Sequence, residues 1–150
     1  MKADRLMRVE VVTVPPELLV EGAHALMLKR GVRHLPVVSG RRLAGVVSDR
    51  DILLVSGRLK NGKYVYPSLT VGEVMSLSPV SASPATPVAE MAKAMVISKI
   101  DCLPIVTSEN ELVGLVTSTD LLLILTEMPS EERPNFSFHI RRAGEIEAKA

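Results

Sequence analysis

The sequence predicts an α/β fold made of two tandem β-α-β-β-α units. Three observations predict it: the chain repeats itself, each copy alternates helical and strand-like spacing, and its apolar residues are almost wholly aliphatic. Met7-Arg8-Val9-Glu10-Val11-Val12-Thr13 recurs as Met75-Ser76-Leu77-Ser78-Pro79-Val80-Ser81, an offset of 75 − 7 = 68. Leu35-Pro36-Val37-Val38 recurs as Leu103-Pro104-Ile105-Val106 at the same offset. Gly45-Val46-Val47-Ser48-Asp49-Arg50-Asp51 recurs as Gly114-Leu115-Val116-Thr117-Ser118-Thr119-Asp120, one position further on, so one residue has been inserted between the matched blocks. Three blocks in one order mark a tandem duplication.

Each copy opens on an extended segment at Met7 or Met75. In the first copy, Leu19, Ala23, Leu26 and Met27 then recur at helical spacing after Pro15-Pro16. Val88, Met91, Ala92 and Met95 do so in the second, with Thr86 expected as N-cap and Pro87 at the first helical position. A strand at 36–38 or 104–106, a polar turn, and a strand at 43–47 or 112–116 read as a hairpin. A second helix begins near Asp51 or Asp120 and runs through leucines. A copy of roughly 50 residues buries too little surface to stand alone, so the two are expected to share a core. Between them, 57–72 reads as a linker with the turn pair Asn61-Gly62 and a short extended piece at Tyr64-Val65-Tyr66. The division is thus a first repeat over 1–56, a linker over 57–72, a second repeat over 73–126 and a C-terminal extension over 127–150, whose end is expected to be mobile.

Composition narrows the function classes. The 150 residues are 47% hydrophobic and 23% charged, with a formal net charge of +1, so a broad basic surface for nucleic acid is absent. Aromatics make up 3%, too few for base-stacking platforms. Tyr64, Tyr66, Phe136 and Phe138 all fall in the linker and the extension; each pair alternates as in a strand, so the segments are expected to pack on each other or across a dimer. The apolar run Leu121–Leu125 is far shorter than the roughly 20 residues that span a bilayer, and no signal peptide is expected. One cysteine, Cys102, fits a reducing compartment, so the chain is expected to be soluble and cytoplasmic. His24, His34 and His139 stand far apart with no ligand spacing, so no metal is expected. Nothing matches a catalytic triad, a P-loop or a dinucleotide fingerprint, and no enzyme is expected.

Two constellations carry chemistry. Gly-x-x-Ser/Thr-x-x-Asp occurs as Gly45, Ser48, Asp51 and as Gly114, Thr117, Asp120, at the junction of a strand and a helix. One reading is a helix cap, Ser or Thr with an acid three residues on. The other is a ligand site, where free amides take an anion and the carboxylate accepts from a ribose diol. Recurrence of Asp rather than Glu favours the diol. The second constellation precedes each Leu-Pro: Val32-Arg33-His34 in one copy, and Ile100-Asp101-Cys102 after Lys99 in the other. Arg33 and His34 suit a phosphate, Arg through its planar fork; otherwise they are solvated loop charges. Asp101 stands where Arg33 does and repels a phosphate, so unequal sites are expected.

Taken together, these blocks resemble a pair of CBS domains, the module named after cystathionine β-synthase, over about residues 5–56 and 73–126. The resemblance implies pseudo-twofold packing of the two copies, two clefts between them, and association as a homodimer. It also implies a regulatory module that binds an adenosine nucleotide (AMP, ADP, ATP or, as a related ligand, S-adenosylmethionine) and signals to an unidentified regulated protein. On this basis Asp51 and Asp120 hold ribose hydroxyls, with Ser48 and Thr117 beside them. Val12, Val32, Val80 and Ile100 line the adenine slots, while Arg33 and His34 approach phosphate. Each cleft combines the two copies: Thr117 and Asp120 with Val12, Val32, Arg33 and His34, and Ser48 and Asp51 with Val80, Ile100, Asp101 and Cys102. The first of these sets is expected to be the better equipped, so Asp120→Ala is expected to weaken binding more than Asp51→Ala. The alternative is a dimerisation or docking module whose clefts stay empty.

Overall fold

The computed structural model describes residues 1–128, so Phe136 and Phe138 lie outside it. A 3₁₀ turn at Ala3–Arg5 is followed by α1 (Val20–Arg30), β1 (His34–Ser39), β2 (Arg42–Ser48) and α2 (Asp49–Val55). The segment between the repeats forms a small antiparallel hairpin, β3 (Gly57–Arg58) with β4 (Tyr64–Val65). One helical turn, α3 (Val71–Val74), and β5 (Ser76–Leu77) then lead into the second copy. There α4 (Val88–Ser98), β6 (Cys102–Val106), β7 (Leu112–Thr117) and α5 (Ser118–Glu127) reproduce the first.

The two hairpins match in detail. Pro36 lies opposite Val46 and Pro104 opposite Leu115, and both pairs show a register shift one residue later in the strand, between Val37 and Val38 and between Ile105 and Val106. Helices α1 and α4 end alike, at Gly31 and Lys99, each left-handed and each donating its amide to the carbonyl four back. Thr86 does not cap α4. Pro87 occupies the cap position in extended backbone, and the Thr86 hydroxyl instead accepts from the Ser83 amide at 3.0 Å.

The opening segments differ most from the expected strands. Each is split between the two copies. Near its start it pairs with the other copy's hairpin: Arg8 with Leu115, and Ser76 with Val46 in the β2–β5 ladder. Further on it pairs in parallel with its own hairpin, Val14 with Val37 and Ala82 with Ile105. Consequently Ala3, Leu6 and Met7 belong to the core of the second copy, around Met91, Leu103, Ile105 and Val116. Val71, Val74 and Met75 belong to that of the first, around Met27, Leu35, Val37, Val47 and Ile52. Glycine at 45 and 114 makes this exchange possible: a Cβ there would stand 2.7 Å from the Met75 sulfur and 2.5 Å from the Met7 sulfur, respectively.

Tyr64 and Tyr66 turn together onto His24 of α1. Their rings lie 6.2 Å apart, and the Tyr66 hydroxyl sits 2.6 Å from Nδ1 of the buried His24.

Candidate functional site

The pseudo-twofold arrangement leaves two clefts between the copies. The larger, about 920 Å³, is bounded by Ser48 and Asp51 from the β2–α2 junction and by Val80, Ile100, Asp101 and Cys102 from the second copy. The smaller, about 230 Å³, is bounded by Thr117 with Val12, Val32, Arg33 and His34. The two expected sets are therefore brought together, with one exception: Asp120 lies behind the wall of its cleft, 5% exposed. Arg33, His34 and Asp101 border both clefts. Residues the sequence reading left out are Arg50 and Ser76 in the larger cleft and Arg8 and Glu10 in the smaller. Arg8 and Ser76 follow the matched methionines directly, which was the available signal.

Both Ser48 and Thr117 cap their helices. The Ser48 hydroxyl accepts from the Asp51 amide at 3.1 Å, and Asp51 Oδ2 accepts from the Ser48 amide at 2.8 Å. Thr117 and Asp120 form the same reciprocal pair. The helix starts offer no free amides for an anion in the larger cleft. Asp49 N donates to the Arg33 carbonyl, Arg50 N to its neighbour Asp49 Oδ1, and Asp51 N to Ser48. That part of the expectation is corrected: a phosphate here would be held by side-chain cations, and Arg33, Arg50 and Lys99 all border this cleft.

The carboxylates are not equivalent. Asp51 Oδ2 caps the helix, while Oδ1 has no partner among the described residues. Asp120 uses both oxygens: Oδ2 accepts from the Thr117 amide and hydroxyl, each at 2.8 Å, and Oδ1 accepts from Arg8 Nε at 3.0 Å and Nη2 at 2.8 Å. Burial raises the Asp120 pKa, but the Thr117 and Arg8 bonds outweigh it and hold the carboxyl below its ordinary value. A side chain far away in sequence has thus taken the Asp120 oxygen that the expected ranking of the clefts left for a ligand.

Burial lowers the His34 pKa against the pull of Asp49, so the imidazole enters the clefts as a neutral hydrogen-bonding group rather than a cation. Burial pushes the Cys102 thiol up to about 12, aided by Asp120 and Asp101, so it stays protonated and is no nucleophile. Among the described residues no cluster of His, Cys, Asp or Glu is built to hold a metal ion, and no helix is long and apolar enough to cross a membrane.

Known proteins share this architecture. The chain is 35% identical over 116 residues to the CBS domain-containing protein YhcV of Bacillus subtilis, covering 77% of this chain and 79% of that one. It is 39% identical over 112 residues to an inosine-5'-monophosphate dehydrogenase of Korarchaeum cryptofilum, of which it spans 22% while 75% of this chain is covered. Similarity to that enzyme is thus confined to about a fifth of its length. In structure it resembles CBSX2 of Arabidopsis thaliana in complex with AMP, with a TM-score of 0.72 and 25% identity over 84% of this chain and 96% of that one. The CBS domain family itself matches residues 3–57 and 71–127. With the two matched hairpins, the exchanged opening segments and the clefts between them, the chain belongs to the CBS domain family and carries two CBS domains in tandem.

Proposed function

We propose that the chain is a regulatory module that binds an adenosine nucleotide in the larger cleft. One observation carries the reading: Asp51, with one carboxylate oxygen unpartnered among the described residues, lines about 920 Å³ of space walled by Val80 and Ile100 and edged by Arg33, Arg50 and Lys99. A ribose diol, an apolar base and a phosphate each find a counterpart there, in a volume within the usual range for small-molecule sites. The AMP complex of CBSX2 supports an adenosine ligand. Ligand contacts drawn from both copies let occupancy bias their packing, to the extent that affinity differs between the two arrangements. A regulated partner would read that packing.

Association with a second copy belongs to the same reading, and α2 and α5 expose Leu54, Leu122 and Leu123 as apolar surface for it. Light scattering tests it; a mass of one 16.3 kDa chain would remove the homodimer.

Calorimetric titration with AMP, ADP, ATP and S-adenosylmethionine tests the ligand. Asp51→Asn is expected to lower AMP affinity at least about tenfold, since a hydrogen bond to a charged group contributes about 1.5–3 kcal/mol. Asp120→Asn is expected to change it less. No heat and no thermal shift with any of the four at millimolar concentration would leave the docking reading, which the two complete helix caps favour.

A further inference from the structure

Among the pseudo-equivalent positions at which the two clefts differ is the pair Arg8 and Ser76. Arg8 and Ser76 each follow the methionine that packs on the hairpin glycine, and each pairs with the residue after that glycine. Arg8 N donates to the Leu115 carbonyl at 2.9 Å, and Leu115 N returns the bond at 3.1 Å, so the Arg8 backbone is fixed against β7. From there the guanidinium directs two donors onto Asp120 Oδ1. With Oδ2 already given to Thr117, no acceptor is left. Ser76 is a much shorter side chain and makes no bond to Asp51, whose Oδ1 stays open.

We propose that Arg8 sets the number of ligands the chain binds: it occupies the diol-accepting oxygen of Asp120 and closes the second cleft, while Ser76 leaves the first open. The inference rests on the nucleotide reading of the clefts. A ribose reaching Asp120 must replace two charge-assisted bonds from a cation with bonds from neutral hydroxyls, at a carboxylate whose side chain is 7% exposed. The smaller cleft, about 230 Å³ against about 920 Å³, fits the same picture. Arg8 itself remains 54% exposed, so it is a latch on the surface and not part of the core.

Calorimetric stoichiometry with AMP on the full chain tests this, with thermal melts to verify folding. Wild type is expected to bind one AMP per chain. Arg8→Ser and Arg8→Met are expected to bind two, the second within about tenfold of the first in affinity, and Ser76→Arg is expected to bind none. Two sites in wild type, or one site in both Arg8 variants, overturns the latch and leaves the nucleotide reading standing. No AMP bound by wild type or by either Arg8 variant overturns both. Binding by the Arg8 variants but not by wild type supports the latch and shows that the larger cleft is not the site.

Discussion

Asp120 stays ionised to lower pH than an ordinary carboxyl, because Thr117 and Arg8 together outweigh its burial. Its folded pKa lies below the unfolded value of about 3.9, so the stability it adds is present above that pH and fades as pH falls through the folded value. Wild type is therefore expected to lose its advantage over Arg8→Met progressively as pH falls from about 5 toward about 2, as followed by thermal melts. An unchanged difference across that range would mean that Arg8 contributes packing and not charge. The spacing Gly-x-x-Thr-x-x-Asp was legible as both cap and carboxylate, and the structure gives Thr117 and Asp120 the cap in full. What spacing could not show was Arg8, 112 positions away. Local periodicity ranks residues by neighbours in sequence, whereas this carboxylate is claimed by a neighbour across the fold.

Helices and hairpins repeat more faithfully than the residues that end them. Gly31 closes α1 at φ 64°, and its counterpart Lys99 closes α4 at φ 53°. A left-handed residue bearing a Cβ is strained by roughly 1–2 kcal/mol, of which glycine's larger unfolded-state entropy would return about half. Lys99→Gly is thus expected to stabilise the fold by about 0.5–1 kcal/mol in urea unfolding. Lys99 also edges the larger cleft, so the same variant is expected to bind AMP more weakly despite its greater stability. Equal affinity would remove Lys99 from the phosphate-facing group. The hairpins and both long helices were readable because Leu-Pro-Val-Val and Leu-Pro-Ile-Val announce buried strands and the methionines fall at helical spacing. The opening segments were not, since alternation says that a stretch is extended but not which hairpin it will join. Thr86 looked like a cap for a similar reason: a hydroxyl before proline suits a cap, yet here it closes a turn with Ser83.

On the nucleotide reading proposed above, ligand occupancy and folding are linked through the packing of the two copies. Binding to the folded chain alone stabilises it by about 2.7 kcal/mol when free ligand is 100 times its dissociation constant. For a chain of this length that corresponds to roughly 5–10 °C in Tm. AMP is expected to raise the wild-type Tm by that much and that of Asp51→Asn by clearly less at the same concentration, read by differential scanning fluorimetry. Equal shifts in the two proteins would place the bound ligand outside the Asp51 cleft. The exchange of Ala3, Leu6 and Met7 for Val71, Val74 and Met75 bears on how such a molecule arises. A half-length chain bearing one copy would own a hairpin whose covering segment points away from it, and could complete its core only by trading that segment with a second half-chain. Duplication joins the two traders end to end. It turns a concentration-dependent handshake into an intramolecular one, and frees the two halves to diverge at single positions such as Arg8 and Ser76.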